Sequence, residues 1–422
     1  MAELFSFLKL PMHLHFLVYI GLLFLISQAC GRIANFFKSP HIVGYLLAGI
    51  LFGPSLLNFF SQKLIFKDLS IITDIALSII AFSIGGSLRI SIFKKFKKSI
   101  IWITIFQAIG AFIFVFVFSA ILLPLVVSTN EVNNGYQRTY LPISLTLGVI
   151  FLATAPASIL SILHEYKAKK GTFTNILLGI ITIDDAIALI FYSFAMVISR
   201  NLIAGDKLDF TIAFLEPITS IFLAVMLGVL MGFILKLILK FFKPKDILLG
   251  IITGAVLLTG GLAITIGISA LLSNMILGFF IANFIEHEKA DDAFEVIESI
   301  EEPIFGIFFL LAGAQLDIQF LSKGIILTGI LLIARFIGKY FGSYFGGVVS
   351  RSPAPIKKYM GLSLLPTAGL CIGLVLEADI IFSKTIPFLS DLMVNAVIGV
   401  TLINELISPY FVRFSLKKAK EI

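Results

Sequence analysis

Charge is the first thing this sequence lacks. Asp, Glu, Lys and Arg make up 14% of the 422 residues, while 59% are hydrophobic and the mean hydropathy is +1.06. An ordinary globular domain is roughly 45–50% apolar, so a water-soluble globule is excluded. Cysteine is almost absent as well. Cys30 and Cys371 stand far apart in apolar segments, which excludes a disulfide framework and a zinc-type ligand spacing. Missing too are the short alternating segments of a membrane β-barrel. An open sheet would leave unpaired amides in lipid, so the backbone has to be helical. The fold class expected is all-α, in a polytopic membrane protein.

What the chain does have is apolar runs of about 20 residues, the length that carries a helix across the hydrocarbon core. Thirteen spans are expected near 13–36, 42–58, 70–88, 99–127, 141–163, 174–199, 217–242, 246–267, 269–284, 303–318, 324–347, 356–377 and 389–413. The net charge of +7 does not indicate nucleic acid as a partner. Lys and Arg gather in short loops beside the spans, where positive charge sets orientation. The loops after the first, third, fifth, seventh and eleventh spans carry most of them, including Arg89, Lys94, Lys95, Lys97 and Lys98. Those loops are expected in the cytoplasm, with the N-terminus outside and the C-terminus cytoplasmic. The loop expected after the ninth span is the exception, with eight acids from Glu286 to Glu302 against Lys289. Acids weigh little in orientation. The first apolar run ends in Ser27-Gln28-Ala29-Cys30, a form shared with lipoprotein signals. It reads better as a first span, because an equally apolar span follows at once and the symmetry below requires it.

The two halves of the chain resemble each other. Gly49 in Gly44-Tyr-Leu-Leu-Ala-Gly49 matches Gly278 in Ser273-Asn-Met-Ile-Leu-Gly278, an offset of 229. Gly85, Leu88, Arg89 and Ile90 match Gly313, Leu316, Asp317 and Ile318 at 228, and Gln107-Ala-Ile-Gly110 matches Arg335-Phe-Ile-Gly338 at 228 again. Each partner lies seven spans later, and seven is odd, so the halves run through the membrane in opposite directions. This predicts an inverted repeat in a single transmembrane domain: a first repeat at about 13–199, a linker helix at 217–242 and a second repeat at 246–413.

Folds of this kind place their site where symmetry-related helices are interrupted. The fifth span holds Ala153-Thr-Ala-Pro156-Ala-Ser158, and the twelfth, its partner, holds Leu365-Pro366-Thr367-Ala-Gly369. Proline removes an amide donor and frees carbonyls of the preceding turn. A single proline is as often a plain kink, but two in symmetric positions point to a site with Pro156, Ser158, Pro366 and Thr367 at the breaks.

Charges inside the spans are few and therefore informative. Asp184 and Asp185 fall in the middle of the sixth span, with apolar neighbours on either side. An intramembrane charge costs at least ~2.5 kcal/mol on insertion scales and asks for a function. Neighbours on a helix point about 100° apart, so one carboxylate can meet a cavity while the other meets a cationic partner. Burial and an adjacent negative charge favour the neutral form of a carboxyl, so one site can hold a proton or a hard cation. The bland alternative is a helix–helix salt bridge. Arg335 and Lys339, four residues apart on the eleventh span, share a helix face and supply the counter-charge. Spacing leaves open which of them pairs with Asp184. Glu405, beside Asn404 in the thirteenth span, is a further internal charge. His287 and His164, next to Glu165, have the chemistry of pH sensors but more often are simply solvated.

Taken together, Pro40 to Gly49 with Gly53-Pro54, Ala153 to Ser158, Asp184-Asp185, Arg335 to Lys339 and Leu365 to Gly373 resemble the sodium/proton exchanger family. That family belongs to the monovalent cation:proton antiporter superfamily, and the paired aspartates are like its bacterial two-aspartate members. The resemblance covers essentially the whole chain. It implies thirteen helices in which a mobile core domain, holding two crossed broken helices, moves against a dimerisation domain. It implies Asp185 as the ligand of the transported cation and proton, Asp184 as partner of a basic residue on the eleventh span, and Thr154 as a contributor at the crossing. A lysine partner goes with electrogenic exchange in that family and an arginine with electroneutral exchange. Unlike the ligand-gated potassium efflux relatives, the sequence ends at Ile422, shortly after Lys417-Lys-Ala-Lys420, so no regulatory domain is expected at the C-terminus.

The expected function is secondary antiport of Na+, or Li+, against H+ across a bacterial inner membrane, by a homodimer and without a cofactor or catalytic residues. K+/H+ exchange is the alternative in the same class. An intramembrane aspartyl protease would need carboxyls converging from different helices, and no Gly-x-Gly-Asp is present. A channel would have little use for an inverted repeat with buried carboxylates.

Overall fold

With no water in the bilayer core to satisfy amides, each apolar run has to close its own i to i−4 hydrogen bonds. The computed structural model follows this rule, with fourteen α-helices and no strand among the described residues. Those are residues 15–36, 39, 41–61, 65, 69–88, 90–127, 135–155, 159, 162, 163, 166, 168, 171–205, 210–241, 245–316, 321–367 and 369–422.

In chain order the helices of the first half are α1 (Phe16–Phe36), α2 (His41–Phe52), α3 (Ser70–Ser87), α4 (Ile90–Val126), α5 (Tyr136–Ile150), α6 (Thr172–Ala204) and α7 (Phe210–Phe241). The second half contains α8 (Lys245–Ile266), α9 (Ala270–Phe284), α10 (His287–Ala314), α11 (Leu321–Val349), α12 (Ala354–Ser363), α13 (Gly369–Phe382) and α14 (Pro387–Lys418). Seven of the fourteen are long and apolar enough to cross a membrane by length and composition, and three shorter apolar helices accompany them. The chain is a multi-pass membrane protein.

Helices fall on the expected spans, with departures that include the following. The acidic stretch expected as a loop after the ninth span is helical and forms the opening turns of α10, which runs unbroken from His287 through Pro303 to Ala314. Glu, Ala and Lys are good helix formers, so the charge that marks water there does not mark a loop. Similarly, α4 begins at Ile90 and kinks at Phe96, where φ is −119° and ψ is 22°. The twelfth span is divided, since α12 ends at Ser363 and α13 starts only at Gly369.

Packing is organised by glycines. The most extensive contact is between α4 and α11, along Gly338, Gly342 and Gly346, spaced four apart so that they form one stripe. A Cβ on Gly338 would lie 2.5 Å from the Gly110 carbonyl, and one on Gly346 2.6 Å from Cα of Ile103. Such small-residue stripes let two backbones meet where lipid offers no hydrophobic drive to associate. A second close crossing joins Gly49 of α2 to Gly313 of α10, and a third joins Gly85 of α3 to Gly278 of α9. These crossings set the frame in which α5, α6, α11 and α12 converge.

Candidate functional site

Helix α5 stops at Ile150, and residues 151–155 leave the helical path; α12 stops at Ser363, and residues 364–367 do the same. The two interrupted segments touch: the Ala155 amide donates to the Pro366 carbonyl at 3.0 Å, and Thr154 Oγ1 lies 3.4 Å from the Leu364 carbonyl oxygen. Both helices therefore aim their C-terminal ends, with their unsatisfied carbonyls and partial negative charge, at one place.

A cation has to sit there, and α11 provides it. Arg335, 1% exposed, donates from Nε to the Phe151 carbonyl at 3.2 Å and from Nη1 to Leu365 at 2.5 Å. Its Nη2 donates to Ala153 at 2.9 Å, and to Leu364 and Pro366 at 3.4 Å each. The planar guanidinium thus ties both broken segments together with all its arms directed at carbonyls. Fully buried Glu405, from α14, lies within electrostatic reach of it.

One turn further along α11, Lys339 takes the other role. Its Nζ lies 2.8 Å from Asp184 Oδ2 and donates to Thr154 Oγ1 at 2.9 Å and to the Leu152 carbonyl. Of the two bases that spacing offered, Lys339 is the one in contact with Asp184. Thr154 completes the triangle by donating to Asp184 Oδ2 at 2.5 Å. The other oxygen, Oδ1, accepts from Gln107 Nε2 of α4. Asp184, with 0% exposure, is satisfied on both oxygens.

Asp185 differs. It is 1% exposed, yet neither carboxylate oxygen has a hydrogen-bond partner among the described residues. The Thr154 backbone amide faces it without reaching hydrogen-bond geometry. Asp185 is therefore buried beside a break in the backbone, with oxygens that no described residue engages.

Several expected residues fall elsewhere. Pro366 and Thr367 lie in the second break, with Thr367 Oγ1 accepting from Asn404 Nδ2 at 3.2 Å. Pro156 and Ser158 lie outside the described residues, as do His164 and Glu165. His287 is the first residue of α10. The acids Asp291, Glu295, Glu298 and Glu301 share one face of α10 and, with Ser83 and Gly86 of α3, line a cavity of about 460 Å³ away from the aspartate pair. Cys30 and Cys371 are both free thiols. Among the described residues no three His, Cys, Asp or Glu side chains gather as a resident metal site.

Gln107 is the residue that sequence reasoning passed over. It served only as a repeat marker opposite Arg335, although that match was itself the signal. If Arg335 reaches the crossing from one half, its counterpart is placed to reach it from the other.

Comparison with known proteins bears on the fold and the family. The solved sodium proton antiporter MjNhaP1 from Methanocaldococcus jannaschii superposes with a TM-score of 0.76 over 95% of this chain and 97% of that one, at 18% identity, which establishes a shared fold. The iron transporter MagA of Paramagnetospirillum magneticum is 22% identical over 96% of this chain and 87% of its own length. Cation/H(+) antiporter 15 of Arabidopsis thaliana is 25% identical over 72% of this chain and 36% of its own. The family model for the transmembrane sodium/hydrogen exchanger matches residues 20–418. The chain belongs to the sodium/hydrogen exchanger family, whose members are secondary transporters rather than enzymes.

Proposed function

We propose that this chain exchanges Na+, or Li+, for H+ by alternating access, with Asp185 as the shared ligand of cation and proton. The observation that carries the reading is a charge count. Among the described residues, five acidic or basic side chains, Asp184, Asp185, Glu405, Arg335 and Lys339, are no more than 1% exposed. In their ordinary ionised forms, three carboxylates stand against two cations and leave one negative charge. A buried charge without a partner costs several kcal/mol. One proton or one monovalent cation removes the deficit, and Asp185 holds the free oxygens to receive either. Competition for that one place couples the two fluxes.

The mechanism assigns Asp184 to Lys339 and Thr154 as a fixed pair, and Arg335 to the broken helices. Lysine gives up its proton far more readily than arginine when buried, so of the two bases Lys339 is the one able to release a proton. The inverted repeat belongs to the same reading. Exchanging Gly49 with Gly278 and Gly313 with Gly85 turns one observed crossing into the other, and Gly110 and Gly338, a matched pair, meet each other. Gly31 against Tyr45 and Gly260 against Asn274 repeat the pattern at an offset of 229. Two inverted repeats flanking α7, thirteen spans, a homodimer and a bacterial inner membrane with the N-terminus outside complete the proposal.

Proteoliposomes with an internal pH dye test it. Adding Na+ or Li+ should move protons, and Asp185→Asn should stop the movement. Proton movement with K+ alone would replace sodium by potassium. Unchanged exchange in Asp185→Asn would end the proposal.

A further inference from the structure

The helix that carries the aspartate pair has no cap of its own. Gly171 occupies the N-cap position of α6 and offers no side chain to the first amides. Ordinarily a Ser, Thr, Asp or Asn there accepts from the second or third helical amide. In this protein those amides are satisfied from the far end of the sequence. Glu421 Oε1 accepts from the Phe173 amide at 2.8 Å. Its Oε2 accepts from the Thr174 amide at 2.9 Å and from Thr174 Oγ1 at 2.6 Å. Glu421 is only 8% exposed.

The turn that delivers Glu421 is specific. Helix α14 closes with the Glu421 amide donating to the Leu416 carbonyl at 3.0 Å and the Lys420 amide to Lys417 at 3.1 Å, the two bonds of a Schellman ending. That ending requires a left-handed residue, and Lys420 adopts φ 61° although it is not glycine. Gly171 is small for a matching reason, since a Cβ there would collide with the Glu421 carboxylate. Nearby, the Arg413 guanidinium of α14 stacks 4.9 Å over the Tyr166 ring. An apolar cluster of Phe173, Ile176, Leu177, Ile180 and Ile181 on α6 with Val412 and Leu416 on α14 continues the contact. It ends three residues short of Asp184.

We propose that Glu421 is a positioning residue: it caps α6 from the chain beyond α14, fixes the helix lengthwise, and so holds Asp185 at its height beside the broken segment. The inference rests on the exchange reading above. Losing an N-cap weakens the equilibrium that holds the helix end ordered roughly fivefold, and apparent affinity falls with the fraction of chains whose site is competent.

The test uses the full chain in lipid nanodiscs and proteoliposomes. In Glu421→Ala, hydrogen exchange at the amides of residues 173–177 should quicken about fivefold, and the apparent KM for Na+ should rise with the maximal rate changed far less. Glu421→Gln keeps one acceptor oxygen, serves if the alanine variant does not fold, and should lie between. Unchanged protection in Glu421→Ala would overturn the cap. Lost protection with an unchanged KM would overturn the positioning role. Because hydrogen exchange is read without transport, it judges the cap even if the wild type moves no protons with sodium.

Discussion

Removing Lys339 and removing the whole Lys339–Asp184 pair should have opposite consequences. At 2.8 Å and an effective dielectric near 20, the pair's gross attraction is about 6 kcal/mol, most of it offset by the cost of drying both ions. Lys339→Gln leaves Asp184 charged in the interior and takes the buried deficit from one negative charge to two. The expected loss is about 3–5 kcal/mol, seen as a marked fall in thermal unfolding midpoint and in exchange. Asp184→Asn combined with Lys339→Gln removes one charge of each sign. The deficit returns to one, so the double variant should recover stability to within about 1–2 kcal/mol of the parent and retain cation-driven proton movement. Unfolding midpoints of the four variants form a cycle that isolates the coupling. Strictly additive losses, or a double variant as inactive as Lys339→Gln alone, would refute the reasoning.

Other outcomes follow from the same geometry. Asp185→Asn should unfold at or above the parent temperature, because it removes an unpartnered buried charge; a lower midpoint would mean that Asp185 has a structural partner. Gly338→Val places side-chain atoms against the Gly110 carbonyl and should cost about 1–3 kcal/mol or more as overpacking, read as lost monodispersity and a lower midpoint. Gln107→Lys would cancel the one-charge deficit from within and should abolish exchange, whereas Gln107→Met, similar in size and neutral, should retain it; equal flux in both would refute the charge count.

Much of this fold could be read in the sequence because lipid leaves the chain few choices. Apolar runs of span length marked the helices, and the glycines at offsets of 228 and 229 marked the residues that make the closest crossings. Charge misled the reading at helix ends, where polar residues outside the hydrocarbon continue the helix, as in the opening turns of α10. The aspartate pair stood out because an intramembrane carboxylate has no cheap explanation. The choice between the two candidate counter-charges did not. Arg335 and Lys339 are one turn apart on one face, and only the third dimension shows that the carbonyls of the two breaks meet Arg335. Glu421 was invisible for another reason: a carboxylate near other charges reads as solvated, and its partners are amides nearly 250 positions earlier.

Two C-terminal helix ends meeting at one point create a negative site before any carboxylate is added. Arginine suits that place, because its fork matches several carbonyls and it holds its charge at any pH a protein tolerates. With Arg335 engaged by both breaks, its charge belongs to the scaffold. Lys339 sits one turn away against a single carboxylate, where losing a proton breaks one pair and leaves the crossing intact. Asp185, having neither base as a hydrogen-bonded partner, is then the site whose occupant can change. An arginine bound to five carbonyls cannot also serve the exchange, so any proton beyond the one Asp185 releases has to come from Lys339.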